Sequence, residues 1–398
     1  MRKPILSKEI LKNRLPLFAV GAFLYIAIGA YGPYLGAYYS EELKLSPIQI
    51  GQLFTLGPLV AMIAQPIWAH IADKTGNRRR VLLVVACCCA VAVLQYYIAH
   101  SFVHLMFTAA ILTMFSTSLS PLADSIMIMR ASDLNFPFAH IRASGSIGYA
   151  IMVTVFGFIY RSHPYSMFAL TSAMYICLAF FIYRLPKDEP YAQAENQKAP
   201  TTDVPFKFHA EYVFLGLFAF ICYTAFNFTQ SFLGVYALSL GFDQSTLGLM
   251  NTFAAVTELP ALLGINVLIK KFGSMRLIFI SSLMLAVRVF CIASGTLPLF
   301  YLAQLFQGTG FIMMYCCCVT YIGKHVPRAH QSKAQTCYAL INSCFANLSG
   351  YMLGGVMVET YGLKQSYIGY GTMALLGTFA LGLAYLIYQR RNRLEIQP

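Results

Sequence analysis

Charge is what this chain has least of. Asp, Glu, Lys and Arg make up 11% of its 398 residues, where an ordinary soluble domain carries about 25%. So little polar surface cannot clothe a core of this size in water, which excludes a water-soluble enzyme. Tryptophan is reduced to Trp68 alone, and no segment reads as a strand. A phosphate-cradling Walker loop is missing, which removes ATP-driven work by this chain alone. No nucleophile is placed with a base, so no enzymatic activity and no cofactor or metal set is expected.

Hydrophobic residues, 58% of the chain, are gathered instead into long runs. A helix crossing a hydrocarbon core of about 30 Å needs roughly 20 mostly apolar residues. Twelve such spans are predicted, at 16–38, 50–72, 81–99, 104–127, 143–160, 165–183, 210–237, 246–269, 276–294, 299–322, 334–358 and 366–388. The expected fold class is an all-α membrane protein whose lipid partner is the bilayer itself. Gly57, Pro58 and Pro66 are tolerable inside spans where neighbouring helices re-satisfy the backbone. The first run is longer than the apolar core of a signal peptide and is expected to stay as a span.

The net charge of +13 sorts by side. With a cytoplasmic N-terminus, 23 of the 28 Lys and Arg fall on the cytoplasmic side, three (Lys44, Arg161, Lys364) on the other, and Arg142 and Arg288 within spans. The positive-inside rule therefore predicts a multi-pass cell-membrane protein with both termini cytoplasmic, and no nucleic-acid partner. The eleven Cys, including Cys87–Cys89 and Cys316–Cys318, fall in or at the edges of spans and read as small packing residues. The sequons at Asn227 and Asn347 lie at membrane depth and are not read as glycosylated.

A polar, Pro-containing stretch at 186–209 separates a six-span bundle at 1–185 from another at 210–398. The halves repeat at an offset of 197 residues, which relates Gly51 to Gly248, Gly76 to Gly273 and Arg79 to Arg276. Parallel repeats of this kind build many transporters, with a solute site near the midplane.

Between the second and third spans runs Ala69-His70-Ile71-Ala72-Asp73-Lys74-Thr75-Gly76-Asn77-Arg78-Arg79-Arg80-Val81. An acid at a helix end, a turn glycine and a basic cluster can form a charge latch that breaks and remakes as helices move. The loop resembles the G-x-L-A-D-R-x-G-R-R/K-x-x-L motif of the major facilitator superfamily, with Asp73, Gly76 and Arg78 in matching places. Ala69 and Asn77 depart from it. The resemblance implies two six-helix bundles, transport by alternating access and a gating role for this loop. The alternative is a solvated loop that only sets topology.

Four ionisable residues stand out at membrane depth: Asp124, Arg142, Glu258 and Arg288. A charge at membrane depth is costly unless paired or hydrated, and so marks a functional position. Glu258 and Arg288 are predicted level on spans eight and nine, roughly 17–18 Å from the cytoplasmic face at about 1.5 Å per residue. Together they suit an acid that gains and loses a proton as its cationic partner is withdrawn; a static bridge between helices is the alternative. Asp124 and Arg142 flank the fourth loop, and Arg142, Ser146 and Tyr149 share one helix face. An acid, a forked donor and an aromatic ring suit a polyhydroxylated ligand. A salt bridge beside an ordinary core tyrosine is the plainer reading.

The stretches Pro121–Asp124, Asn135-Phe136 and Arg142–Tyr149 are similar in spacing to the lactose permease group and its relatives, the phenylpropionate permeases and nucleoside–proton symporters. That resemblance implies that Asp124, Arg142 and Tyr149 bind substrate, with Asp and Tyr here where the lactose permeases carry Glu and Trp. It also matches Glu258 and Arg288. The His and proton-exchanging Glu of their tenth span fall on Gln307 and Gly310, neither of which titrates. Glu258 or Asp124 must then carry any coupled proton, with Gln307 as a hydrogen-bonding group.

The expected function is secondary active, proton-coupled symport of a sugar, oligosaccharide or similar hydroxylated solute by a monomer. Open alternatives are a nucleoside or aromatic-acid symporter, a proton-driven exporter of amphipathic compounds, and a non-transporting receptor on the same scaffold.

Overall fold

Long runs of apolar residues have one way to satisfy their backbone in lipid, by hydrogen bonding within a helix, and the chain takes it throughout. In a computed structural model, residues 8–99, 101–134, 138–186, 210–326 and 328–394 are described, and they hold helices and no strand. The expected linker lies outside them except for Pro186.

Six helices precede the linker. α1 is Lys8–Tyr31, prolonged past a tight turn by Leu35–Glu41; α2 is Pro47–Thr75 and α3 Arg78–Leu94; α4 is Phe102–Asp133, α5 Phe138–Tyr160 and α6 Ser166–Arg184. After it come α7 (Ala210–Ser239), α8 (Gln244–Phe272), α9 (Ser274–Ala293) and α10 (Leu297–His325). α11 is the helical run 328–361, and α12 is Leu363–Leu394.

Eleven helices among the described residues are long and apolar enough to cross a membrane. The twelfth expected span, 334–358, does fold as helix, but π-turns at Ile341–Phe345 and Ser349–Leu353 interrupt α11. Its glycines sit hard against α7: a Cβ at Gly350 would lie 2.7 Å from the Thr224 carbonyl oxygen, and one at Gly354 would lie 2.6 Å from the Phe228 ring. A π-turn shifts the register of a helix face, which lets α11 follow that contact.

The chain forms two compact units. One comprises Met1–Glu42, Leu56–Asn196 and Asp243–Thr252, the other Leu43–Thr55, Gln197–Phe242 and Phe253–Pro398. The first turns of α2 thus belong with the second unit and those of α8 with the first. In the first unit α1 packs on α5 and α6, and α3 on α4 and α6. In the second, α9 packs on α10, α12 and α7.

The repeat seen in the sequence reappears as geometry. Gly76 and Gly273 both turn the chain at positive φ, +62° and +79°, which only glycine adopts at no steric cost. Gly51 and Gly248 both mark close helix crossings. In the second unit a Cβ at Gly51 would stand 2.4 Å from the Tyr351 carbonyl oxygen and 3.3 Å from Gly355 Cα. In the first, one at Gly248 would stand 2.7 Å from both Tyr34 Oη and the Val153 carbonyl oxygen.

Tyrosines fill much of the interior, and buried hydroxyls need partners. Tyr39 and Tyr96 share a 3.0 Å hydrogen bond in the first unit, as Tyr223 and Tyr338 do at 2.7 Å in the second. Each such bond contributes about 1 kcal/mol net.

Candidate functional site

In the first unit the candidate residues meet where α4 and α5 run beside α1. Gly145 and Gly148 bring α5 down onto α1: a Cβ at Gly145 would meet the Tyr25 ring at 2.5 Å, and one at Gly148 would meet Ile26 at 2.8 Å. The helix face carrying Arg142, Ser146 and Tyr149 is half-buried. The Arg142 guanidinium lies 4.1 Å from the centroid of the Tyr25 ring. At that distance a cation–π contact is worth about 0.5–2 kcal/mol. The Tyr25 side chain feels the charge of Arg142 and lies near Ser120 of α4, and Asp124 follows Ser120 one turn later on α4. Tyr149 lies along α1 at Gly29, where a built Cβ would meet its ring at 3.3 Å.

The salt bridge of the plainer reading, between Asp124 and Arg142, does not form. Ion pairs do form elsewhere, as between Arg78 and Asp73 at 3.0 Å and between Arg130 and Asp133 at 3.9 Å. Arg142 is drawn onto Tyr25 instead, while Asp124 still feels its charge. Asp124 Oδ1 is buried and accepts no hydrogen bond. Asn135 and Phe136 lie outside the described residues.

In the second unit Arg288 of α9 is completely buried, at 0% exposure. Its Nη2 donates to Gln307 Oε1 of α10 and, at 3.3 Å, to Gln230 Oε1 of α7. The guanidinium stands 5.1 Å from the Phe226 ring centroid and interacts electrostatically with Tyr367 of α12. Nε and Nη1 are buried without a hydrogen-bond partner. Gln307 is 7% exposed, whereas Gln230 is exposed, so the network runs from a surface amide to a sealed cation.

The expected Glu258–Arg288 pair is also corrected. Arg288 hydrogen-bonds to the amides of α7 and α10, and no carboxylate among the described residues is one of the groups whose charge acts on it. Glu258, half-buried on α8, lies along α10: a Cβ at Gly308 would stand 2.2 Å from Thr257 Oγ1 and 2.9 Å from the Glu258 amide nitrogen.

In the loop between α2 and α3, Asp73 and Arg78 close a 3.0 Å ion pair across the Gly76 turn. Asn77, the departure from the motif, caps α3 by accepting from the Arg80 amide at 3.0 Å; a basic side chain there has no acceptor and could not cap. Arg79 Nη2 donates to the Tyr183 carbonyl oxygen of α6 at 2.8 Å. With side-chain exposures of 37% and 66% for Arg78 and Asp73, that pair is worth at most about 1 kcal/mol.

Sequence reasoning missed Tyr25 and Ser120. Neither carries a charge, both sit in apolar runs, and Tyr25 is brought to Arg142 only by the α1–α5 crossing. Gln230 likewise carries no charge, and the partnership with Arg288 shows only in the packing of α7 on α9.

These features define a class: a polytopic helical membrane transporter built from repeated halves, with charged and amide side chains at membrane depth. The MFS_1 like family matches residues 17–369, and the chain belongs to that branch of the major facilitator superfamily. Its relatives are permeases, not enzymes. It is 26% identical over 392 residues to the maltose permease of Geobacillus stearothermophilus, covering 96% of this chain and 95% of the relative. It is 24% identical over 377 residues to the uncharacterized transporter YwbF of Bacillus subtilis (strain 168), covering 93% and 92%. The crystal structure of the nucleoside transporter NupG superposes with a TM-score of 0.83 at 18% identity, over 94% of this chain and 98% of that one.

Proposed function

We propose that this transporter moves a sugar, oligosaccharide or similar small hydroxylated solute in symport with protons, by alternating access, as a monomer in the cell membrane with both termini cytoplasmic. The observation that carries the reading is the group on α1, α4 and α5. Arg142 is oriented by the Tyr25 ring, Asp124 lies close enough to sense it, and Ser146 and Tyr149 share its face. An arginine fork and a carboxylate bind vicinal hydroxyls, and an aromatic ring takes the apolar face of a sugar. A relative named maltose permease, aligned over nearly the whole chain, supports that solute class.

Asp124 and Glu258 are the groups we assign to proton exchange, because Gln307 cannot titrate and serves Arg288 as a hydrogen-bond acceptor. Asp73, Gly76 and Arg78 are assigned to gating. The six-helix bundles at 1–185 and 210–398, joined by 186–209, are the bodies this reading sets in motion.

Proteoliposomes test it. Purified protein should exchange labelled maltose or another sugar in counterflow, and sugar added to de-energised vesicles should alkalinise the outside. Uptake of nucleosides with no response to any sugar would replace the solute class. Sugar uptake indifferent to a proton gradient would remove the coupling.

A further inference from the structure

Away from both candidate sites, the second unit carries a groove of about 1030 Å³ at its basic end, where α9 begins and α12 finishes. Its walls are hydrocarbon: Phe279 of α9 faces Phe379, Leu383 and Leu386 of α12, and the three α12 side chains are 52%, 61% and 56% exposed. Its rim carries the cations Lys271 and Arg276 beside the His325 ring, and no acid among the described residues lines it. Glu211, the carboxylate drawn towards it, already accepts the hydroxyl hydrogen of Tyr321. α9 also starts there without a side-chain cap, so the positive end of its dipole adds to the rim.

The groove stays open because of one residue. A Cβ at Gly382 would stand 2.6 Å from the Phe279 ring, so any larger side chain would push that ring outwards into the space. Hydrocarbon walls beneath a cationic rim, on a surface that faces lipid, match an amphiphile with an anionic head. A soluble anion gains nothing from Leu383 and Phe379, and a zwitterionic lipid gains little from Lys271 and Arg276.

We propose that this groove binds an anionic phospholipid, with its phosphate against Lys271 and Arg276 and an acyl chain along Phe279, Phe379, Leu383 and Leu386. Basic pockets between helices on the cytoplasmic side are suited to such head groups. The site is independent of which solute is carried.

Delipidated full-length protein in detergent would be titrated separately with phosphatidylglycerol, phosphatidylcholine and inorganic phosphate, followed by native mass spectrometry and thermal unfolding. Phosphatidylglycerol should be retained and raise Tm, with the other two inert, and the Lys271→Gln/Arg276→Gln double variant should bind it roughly tenfold more weakly. Lys364→Gln, outside the groove, should leave binding unchanged. Equal retention of the two lipids, or an undiminished preference in the double variant, overturns the proposal. Protection by phosphate alone reassigns the rim to a soluble anion and overturns it as well. The wild-type protein gives a separate check if the variant misfolds: the preference for phosphatidylglycerol must shrink at high salt, and a salt-indifferent preference rules the site out.

Discussion

Arg288 hydrogen-bonds to Gln307 across α9 and α10 with no carboxylate beside it among the described residues, so a fully buried cation is held by two amide oxygens and an aromatic face. Burying a guanidinium this way costs more than its neutral partners return, which is hard to justify by stability. Replacement by an apolar side chain of similar reach therefore separates fold from function. Arg288→Met should keep or raise Tm in detergent while abolishing counterflow. Transport that survives the change would make Arg288 a packing residue and remove it from the mechanism.

The contact between Tyr25 and Arg142 allows a graded test of the first-unit group. Tyr25→Phe keeps the ring under the guanidinium and should preserve most solute affinity. Tyr25→Ala frees Arg142 and should weaken binding about tenfold, the equivalent of a cation–π contact of roughly 1–2 kcal/mol. Arg142→Lys retains charge but loses the planar fork and should bind at least as poorly as Tyr25→Ala. Equilibrium binding of labelled solute reads all three, and unchanged affinity in Tyr25→Ala would detach Tyr25 from the site.

How much of this was legible beforehand differs by kind of signal. The spans were, because a bilayer demands about 20 apolar residues regardless of their neighbours. So was the repeat, since Gly76 and Gly273 are constrained by their own backbone. The pairing of charges was not. Depth along a helix follows from counting residues, but which helices touch depends on how the bundle packs. Glu258 and Arg288 were placed level on consecutive spans, and Arg288 bonds instead to Gln230 of α7 and Gln307 of α10. Tyr25 went unnoticed for the same reason, as nothing near it in sequence marks the crossing at Gly145.

Glycines at helix crossings predict opposite outcomes for the same substitution. At Gly51 and Gly248 an added methyl would stand 2.4 Å and 2.7 Å from backbone or hydroxyl oxygen, and relieving such overlap costs about 1–3 kcal/mol. Gly51→Ala and Gly248→Ala should therefore lower Tm and slow transport. Gly57, also in α2, has nothing within 4 Å of a built Cβ, so Gly57→Ala should raise Tm slightly, because alanine favours a helix by about 1 kcal/mol. Equal effects at Gly51 and Gly57 in thermal unfolding would mean that the crossing is not close in the protein.

Asp243, just ahead of α8, gives a pH dependence whose sign can be worked out. Its carboxylate accepts from the Thr246 hydroxyl, from the Ser245 hydroxyl at 2.7 Å and from the Thr246 amide at 2.8 Å. The hydroxyl bond to Thr246 is the largest of the causes that bring its pKa down from 3.8 to about 2. A carboxylate depressed in the folded state stabilises the fold above its unfolded pKa, and that contribution fades as pH falls through the folded value. It should be fully present at pH 5 and above and decline between about 3.8 and 2. Asp243→Ala removes the cap and should cost about 1 kcal/mol at neutral pH. The Tm gap between wild type and variant should then narrow as the sample is acidified through that window. A gap that stays constant down to the lowest pH at which both proteins remain folded would mean that the carboxylate is not what holds this end of α8.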